Sequence, residues 1–217
     1  MLDISSYRLR LLLRAVAIAA IAVAALNGCA SSAVNPGAAS QAAIPAVTEQ
    51  RTWVPEPVEP LDEAQSQLLD SAEGALASEN WVMAAERLEA LANARPDYAL
   101  AKARLAWVKE RQGDIPAAKA LYREALEQRP DDVVSVNNLA LLMQREGGFG
   151  EARGLLEQGL KYSPEVPELH FNLAVLSELY LLDLETALAH YRRYQELSED
   201  ENARVAGWIA DLERRVQ

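Results

Sequence analysis

The sequence predicts an all-α solenoid of helical hairpins, about four repeats long and closed by a C-terminal capping helix, and three observations carry that expectation. Side chains recur every 34 residues over residues 61–201, small residues alternate with large apolar ones within each period, and Gly and Pro fall at fixed places between the apolar stretches. A repeat of that length cannot bury its apolar face alone, so neighbouring repeats must stack.

The columns are explicit. Pro96, Pro130 and Pro164 share the spacing, as do Ala84, Ala118 and Ala152, and Leu88, Tyr122 and Leu156. Leu105, Leu139 and Leu173 are each followed by an alanine, Ala106, Ala140 and Ala174. The alanines are small where two helix backbones must approach, and the Leu and Tyr side chains fill the seam around them. Gly113 and Gly147 fall where a first helix should stop, because Gly accepts the left-handed conformation that ends helices. Each proline then halts the second helix of its hairpin.

The residues before this region differ in kind. Arg8, Arg10 and Arg14 precede the uncharged apolar run 15–26, which is the layout of a signal peptide over residues 1–28. Its 12 apolar residues fall short of the ~20 that a membrane-spanning helix needs. Leu26-Asn27-Gly28-Cys29 follows, and Cys29 is the sole cysteine. This resembles the bacterial lipobox, with Asn27 standing where a small or apolar residue is usual. The resemblance implies lipidation of Cys29 as the mature N-terminus, and Ala30 in place of Asp implies the outer membrane. Ordinary cleavage after Ala30 would instead leave a soluble periplasmic protein.

Residues 29–60 are rich in Ala, Ser and Pro and show no helical or strand period, which predicts a disordered tether able to reach on the order of 100 Å. Within it, Trp53-Val54-Pro55-Glu56-Pro57-Val58 reads either as a linear docking motif or as a cover for the first helix. At the other end, Val205, Trp208, Ile209, Leu212 and Val216 form one helical stripe, which assigns residues 202–217 to the capping helix.

Charge and chemistry narrow the function. The formal charge of −11 becomes −13 once residues 1–28 are removed, which argues against nucleic acid as a partner. No phosphate loop, nucleophile elbow or metal-ligand spacing is present, so neither a catalytic residue, a cofactor nor a metal is expected. His170 and His190 lie 20 residues apart on different expected helices, and His190 is expected to pack beside Tyr191.

The 34-residue columns resemble the tetratricopeptide-repeat (TPR) family, with repeats at about 65–98, 99–132, 133–166 and 167–201. The middle two fit best, through Arg111-Gln112-Gly113-Asp114 and Arg145-Glu146-Gly147-Gly148 at the turns. The first has Ser71 in place of Leu and Glu79 in place of the turn Gly. In the fourth, Ala187, Tyr191 and Tyr194 sit one residue late, which predicts an insertion near residues 181–183.

The resemblance implies a concave groove, lined by the first helices, that binds a peptide or helix of another protein. The matching positions are Leu100, Ala103, Arg104 and Trp107, then Val134, Asn137, Asn138 and Leu141, then Glu168, Phe171, Asn172 and Val175, with Trp107 and Phe171 as aromatic anchors. A carboxylate clamp is not implied. Leu69 and Glu73, or Ala103 and Trp107, occupy its Lys and Asn places, and only Asn138 matches. The chain is similar to TPR lipoproteins that act as pilotins or assembly factors for pili and secretion complexes, which implies a lipid-anchored adaptor with such a client. An adaptor recruiting peptidoglycan hydrolases or proteases is one alternative, and a cell-wall enzyme, which would need an acid, base or nucleophile constellation that the sequence does not show, is another.

Overall fold

The computed structural model describes residues 59–198 and 203–217, so the expected signal peptide, Cys29 and the tether up to residue 58 lie outside the described residues. The described residues form α1 (Glu63–Ala77), α2 (Trp81–Ala94), α3 (Ala99–Gln112), α4 (Ile115–Gln128), α5 (Val133–Arg145), α6 (Phe149–Tyr162), α7 (Pro167–Leu176), α8 (Leu184–Leu197) and α9 (Ala203–Arg215). Each odd-numbered helix up to α7 pairs with the next to make a hairpin, successive hairpins stack, and α9 packs on α8. No helix among the described residues is long and apolar enough to cross a membrane.

The turns within the hairpins follow one recipe. Gly113 and Gly147 have φ of 85° and 86°, in the left-handed region that favours glycine. One residue later the second helix begins, and Asp114 accepts the N–H of Ala117 at 3.2 Å as its N-cap. The first hairpin keeps the geometry with a less suited residue, since Glu79 takes φ 54° and Asn80 caps α2 through the N–H of Met83. Pro96, Pro130 and Pro164 each lie one residue past the C-cap of a second helix, at Arg95, Arg129 and Ser163.

The fourth hairpin absorbs its extra residue earlier than the spacing predicts. The end of α7 widens into a π-turn over Ser177–Leu181, in which the Ser177 carbonyl accepts from the N–H groups of Leu182 and Asp183. One residue is thereby added inside the helix. The left-handed position moves to Leu182, φ 56°, and Asp183 caps α8 through the N–H of Thr186 at 3.1 Å.

The repeating columns are the core. Ala84, Ala118, Ala152 and Ala187 are fully buried, as are Ala106 and Ala174. Leu88, Tyr122, Leu156 and Tyr191 occupy one column, all buried, and the two tyrosines need polar partners there. Tyr122 Oη accepts from Asn138 Nδ2 at 3.1 Å, and Tyr191 Oη donates to Glu178 Oε2 at 3.0 Å. Burial pushes the Tyr122 phenol well above its usual range. At the C-terminal end, Val205, Ile209 and Leu212 of α9 close the last hairpin over Phe171, Val175, Leu188 and Tyr191. Without α9 that apolar face would meet water.

Candidate functional site

The first helices α1, α3 and α5 border a groove of about 540 Å³, lined by Glu73, Leu76, Leu100, Ala103, Arg104, Trp107, Asp132, Val134 and Asn138. Leu100 and Val134 hold equivalent positions in the first turns of α3 and α5, and both are large exposed apolar residues, 42% and 61% accessible. Ala103 is buried and forms floor through its lack of bulk. The apolar wall is therefore made by neighbouring repeats presenting the same register position.

Trp107 is held rigidly. Its ring meets Trp81 of α2 edge to face, with centroids 5.3 Å apart, and the Arg111 guanidinium lies 5.4 Å from the Trp107 ring centroid and 5.6 Å from that of Trp81. Such stacking and cation–π contacts are each worth about 0.5–1.5 kcal/mol and hold the indole in one rotamer. An aromatic side chain already immobilised loses little entropy when a partner covers it.

The polar groups are equally pre-set. Arg104 pairs with Glu73 across the first two hairpins. Asp132 accepts the Ser135 hydroxyl, and Asn138 is fixed by Tyr122. Asn172 donates to Asn137, tying α7 to α5. The three equivalent positions Arg104, Asn138 and Asn172 thus each have an intramolecular partner.

Six of the twelve expected groove residues line this groove: Leu100, Ala103, Arg104, Trp107, Val134 and Asn138. Asn137, Leu141, Glu168 and Asn172 lie outside its lining. Phe171 and Val175 require a correction. They are 7% and 4% accessible and sit in the core, with Phe171 against Tyr191, Tyr194 and Trp208 at 5.2–6.2 Å between centroids. The capping helix covers the face that a further hairpin would otherwise cover, so an aromatic there fills the end of the stack. Leu76 and Asp132 were not expected in the groove, and Glu73 was placed there only as an unmatched clamp position. Glu73 stands 34 residues before Trp107, so the repeat register alone could have placed it there.

The histidines meet, which their spacing in the sequence does not indicate. Pairing of α7 with α8 brings His170 and His190 together, with Nδ1 to Nδ1 at 2.8 Å and the rings stacked. His170 Nε2 donates to the Pro164 carbonyl at 2.9 Å. No third ligand joins them, and among the described residues no group of three or more His, Cys, Asp or Glu could hold a metal ion.

The class of protein this defines is a solenoid with the tetratricopeptide-repeat fold. Solved structures of that fold resemble it over most of its length. A tetratricopeptide repeat protein from Parabacteroides merdae is 21% identical with a TM-score of 0.62, over 70% of this chain and 60% of that one. The pilF protein of Pseudomonas aeruginosa is 24% identical with a TM-score of 0.60, over 71% of this chain and 69% of that one. MamA from Desulfovibrio magneticus RS-1 is 13% identical with a TM-score of 0.61, over 72% of this chain and 87% of that one. No family model matches the sequence. No curated protein matches it either.

Proposed function

We propose that this chain is a lipid-anchored adaptor of the bacterial envelope, which holds a segment of a partner protein in the groove between α1, α3 and α5 and so helps to assemble a pilus or secretion complex. One observation carries the binding role: Leu100 and Val134 stay exposed in register on neighbouring hairpins beside the immobilised Trp107. Apolar residues exposed together at a concave site, with polar neighbours already paired, suit an apolar stripe on a partner peptide or helix. The chain acts by binding, without catalysis.

The choice of client is supported by the likeness to the Pseudomonas aeruginosa pilF protein together with the sequence's resemblance to TPR lipoproteins of pilus assembly. Anchoring through Cys29 at the periplasmic face of the outer membrane is supported by the lipobox-like residues 26–29. Several acyl chains on one cysteine, at about 0.8 kcal/mol per buried methylene, would give firm attachment.

The test is photocrosslinking in living cells from residues 100 and 134. Capture of a pilus or secretion component is the expected result. Capture of a peptidoglycan hydrolase would replace the client, and capture of nothing above background would refute the groove.

A further inference from the structure

We infer that the groove has an occupant within the same chain: the segment around Trp53, which folds back from the start of α1 and lies against Leu100 and Val134 until a partner displaces it. This rests on the reading of the groove as a protein-docking site and adds what fills it when no partner is present.

The first argument is where the chain leaves the described residues. Arg95, at the junction of α2 and α3, donates to the carbonyls of Glu59 at 3.0 Å and Pro60 at 3.3 Å. Asp97 holds the same guanidinium in a two-point pair at 2.9 and 2.8 Å, and the Arg95 side chain is only 12% accessible. The exit of the chain is therefore clamped beside the start of α3 rather than left to swing.

The second argument is reach. Leu100 and Val134 are the second residues of α3 and α5, so the exposed apolar pair sits at the same end of the stack as the clamp. Adjacent packed helices are about 8–10 Å apart, so the far side of the groove is about 20 Å from the clamp. Five residues lie between Trp53 and Glu59, so six steps of about 3.1–3.3 Å join them and span about 20 Å.

The third argument is chemistry. Trp53 is the only aromatic residue between Cys29 and Pro60, and it is flanked by Val54 and by the prolines Pro55 and Pro57. Prolines lower the entropy lost on docking an extended segment. A tryptophan with valine neighbours is the kind of side chain that the exposed Leu100 and Val134 can desolvate.

Tethering makes weak docking effective. A short linker gives an effective concentration on the order of 1 mM, so a segment that binds with a Kd of about 0.1 mM would occupy its own groove in about nine molecules of ten. An external ligand for the same surface then binds about tenfold more weakly than to a groove without its internal competitor.

Two measurements on the intact protein test this. With p-benzoylphenylalanine in place of Val134, irradiation of the purified protein should give an intramolecular product that maps to residues 51–58 and is lost in Trp53→Ala. A fluorescein-labelled peptide of residues 51–58 should bind the intact Trp53→Ala protein about tenfold more tightly than the unsubstituted protein. Equal affinities, products joining two copies of the chain, or capture of Trp53 only from a photoreactive residue on α1 would each overturn the inference. If partner capture from residue 134 in cells persists alongside any of these results, the internal occupant fails while the groove stands. If both are lost, the groove reading fails with it.

Discussion

Acidification from pH 7.5 to 5.0 should cost this protein about 2 kcal/mol of stability, through the histidine pair of the last hairpin. His170 Nε2 donates to the Pro164 carbonyl, so its Nδ1 carries a lone pair, and His190 Nδ1–H must be the donor in the 2.8 Å contact. A proton on His170 Nδ1 would remove the acceptor of this contact, and a proton on His190 Nε2 would put charge where water is scarce. Burial first, and then His170, push His190 from 6.5 down to about 4. Arg153 adds to that, while Glu157 and Asp183 oppose it. His170 is lowered as well, by burial and Arg193 against the Pro164 carbonyl and Glu196.

The sign follows from linkage. Well above 6.5 both states hold neutral imidazoles and stability is complete. As pH falls towards 4 the unfolded chain takes up the proton and the folded chain does not, so stability falls. The full effect for His190 is roughly 3 kcal/mol, of which about 2 kcal/mol has been lost by pH 5.0. In a domain of this size that lowers Tm by about 4–8 °C. The carboxylates held below their ordinary range, Asp97 and Asp183, contribute only below about pH 4, outside the interval. Thermal melts at the two pH values, with and without His190→Gln, measure it: the fall should shrink to a degree or two in the variant. An equal fall in both proteins would refute the assignment.

Three other outcomes follow from named residues. Leu182→Gly should stabilise by about 0.5–1 kcal/mol in urea titrations, because relief of a left-handed leucine at φ 56°, worth about 1–2 kcal/mol, exceeds the added entropy of the unfolded chain. Gly159→Ala should destabilise by about 1–2 kcal/mol, since its Cβ would stand 2.7 Å from Val136 Cγ1, whereas Gly154→Ala, with nothing within 4 Å, should gain up to about 1 kcal/mol from helix propensity. Val134→Glu should leave Tm within about 1–2 °C, because the side chain is 61% exposed, yet lower affinity for the captured partner at least tenfold by fluorescence anisotropy.

Much of the fold was legible because a repeat reports the same physical constraint several times. The Ala84 column is small in every hairpin because backbones meet there, and all four members are fully buried. The turn glycines have the positive φ that their positions demanded. What was hidden lay where one hairpin departs from the others. A helix can take an extra residue as a π-turn without any change in composition, so the insertion at Ser177–Leu181 could be counted but not placed. The histidine pair was missed because 20 residues of separation conceal a contact that only the pairing of α7 with α8 creates. Phe171 and Val175 share the register of Ala103 and Trp107, and only the presence of α9 turns that register position from groove into core.

The most direct test of the groove is a paired crosslinking experiment in cells, with the photoreactive residue at position 134 in one strain and at position 82 in the other. Val134 and Val82 are similarly exposed, at 61% and 65%, but Val82 lies on α2, outside the groove lining. A discrete protein adduct from residue 134 and none from residue 82 is the predicted result. Equal adducts from both positions, or adducts from residue 82 alone, would contradict the assignment of the groove as the working surface.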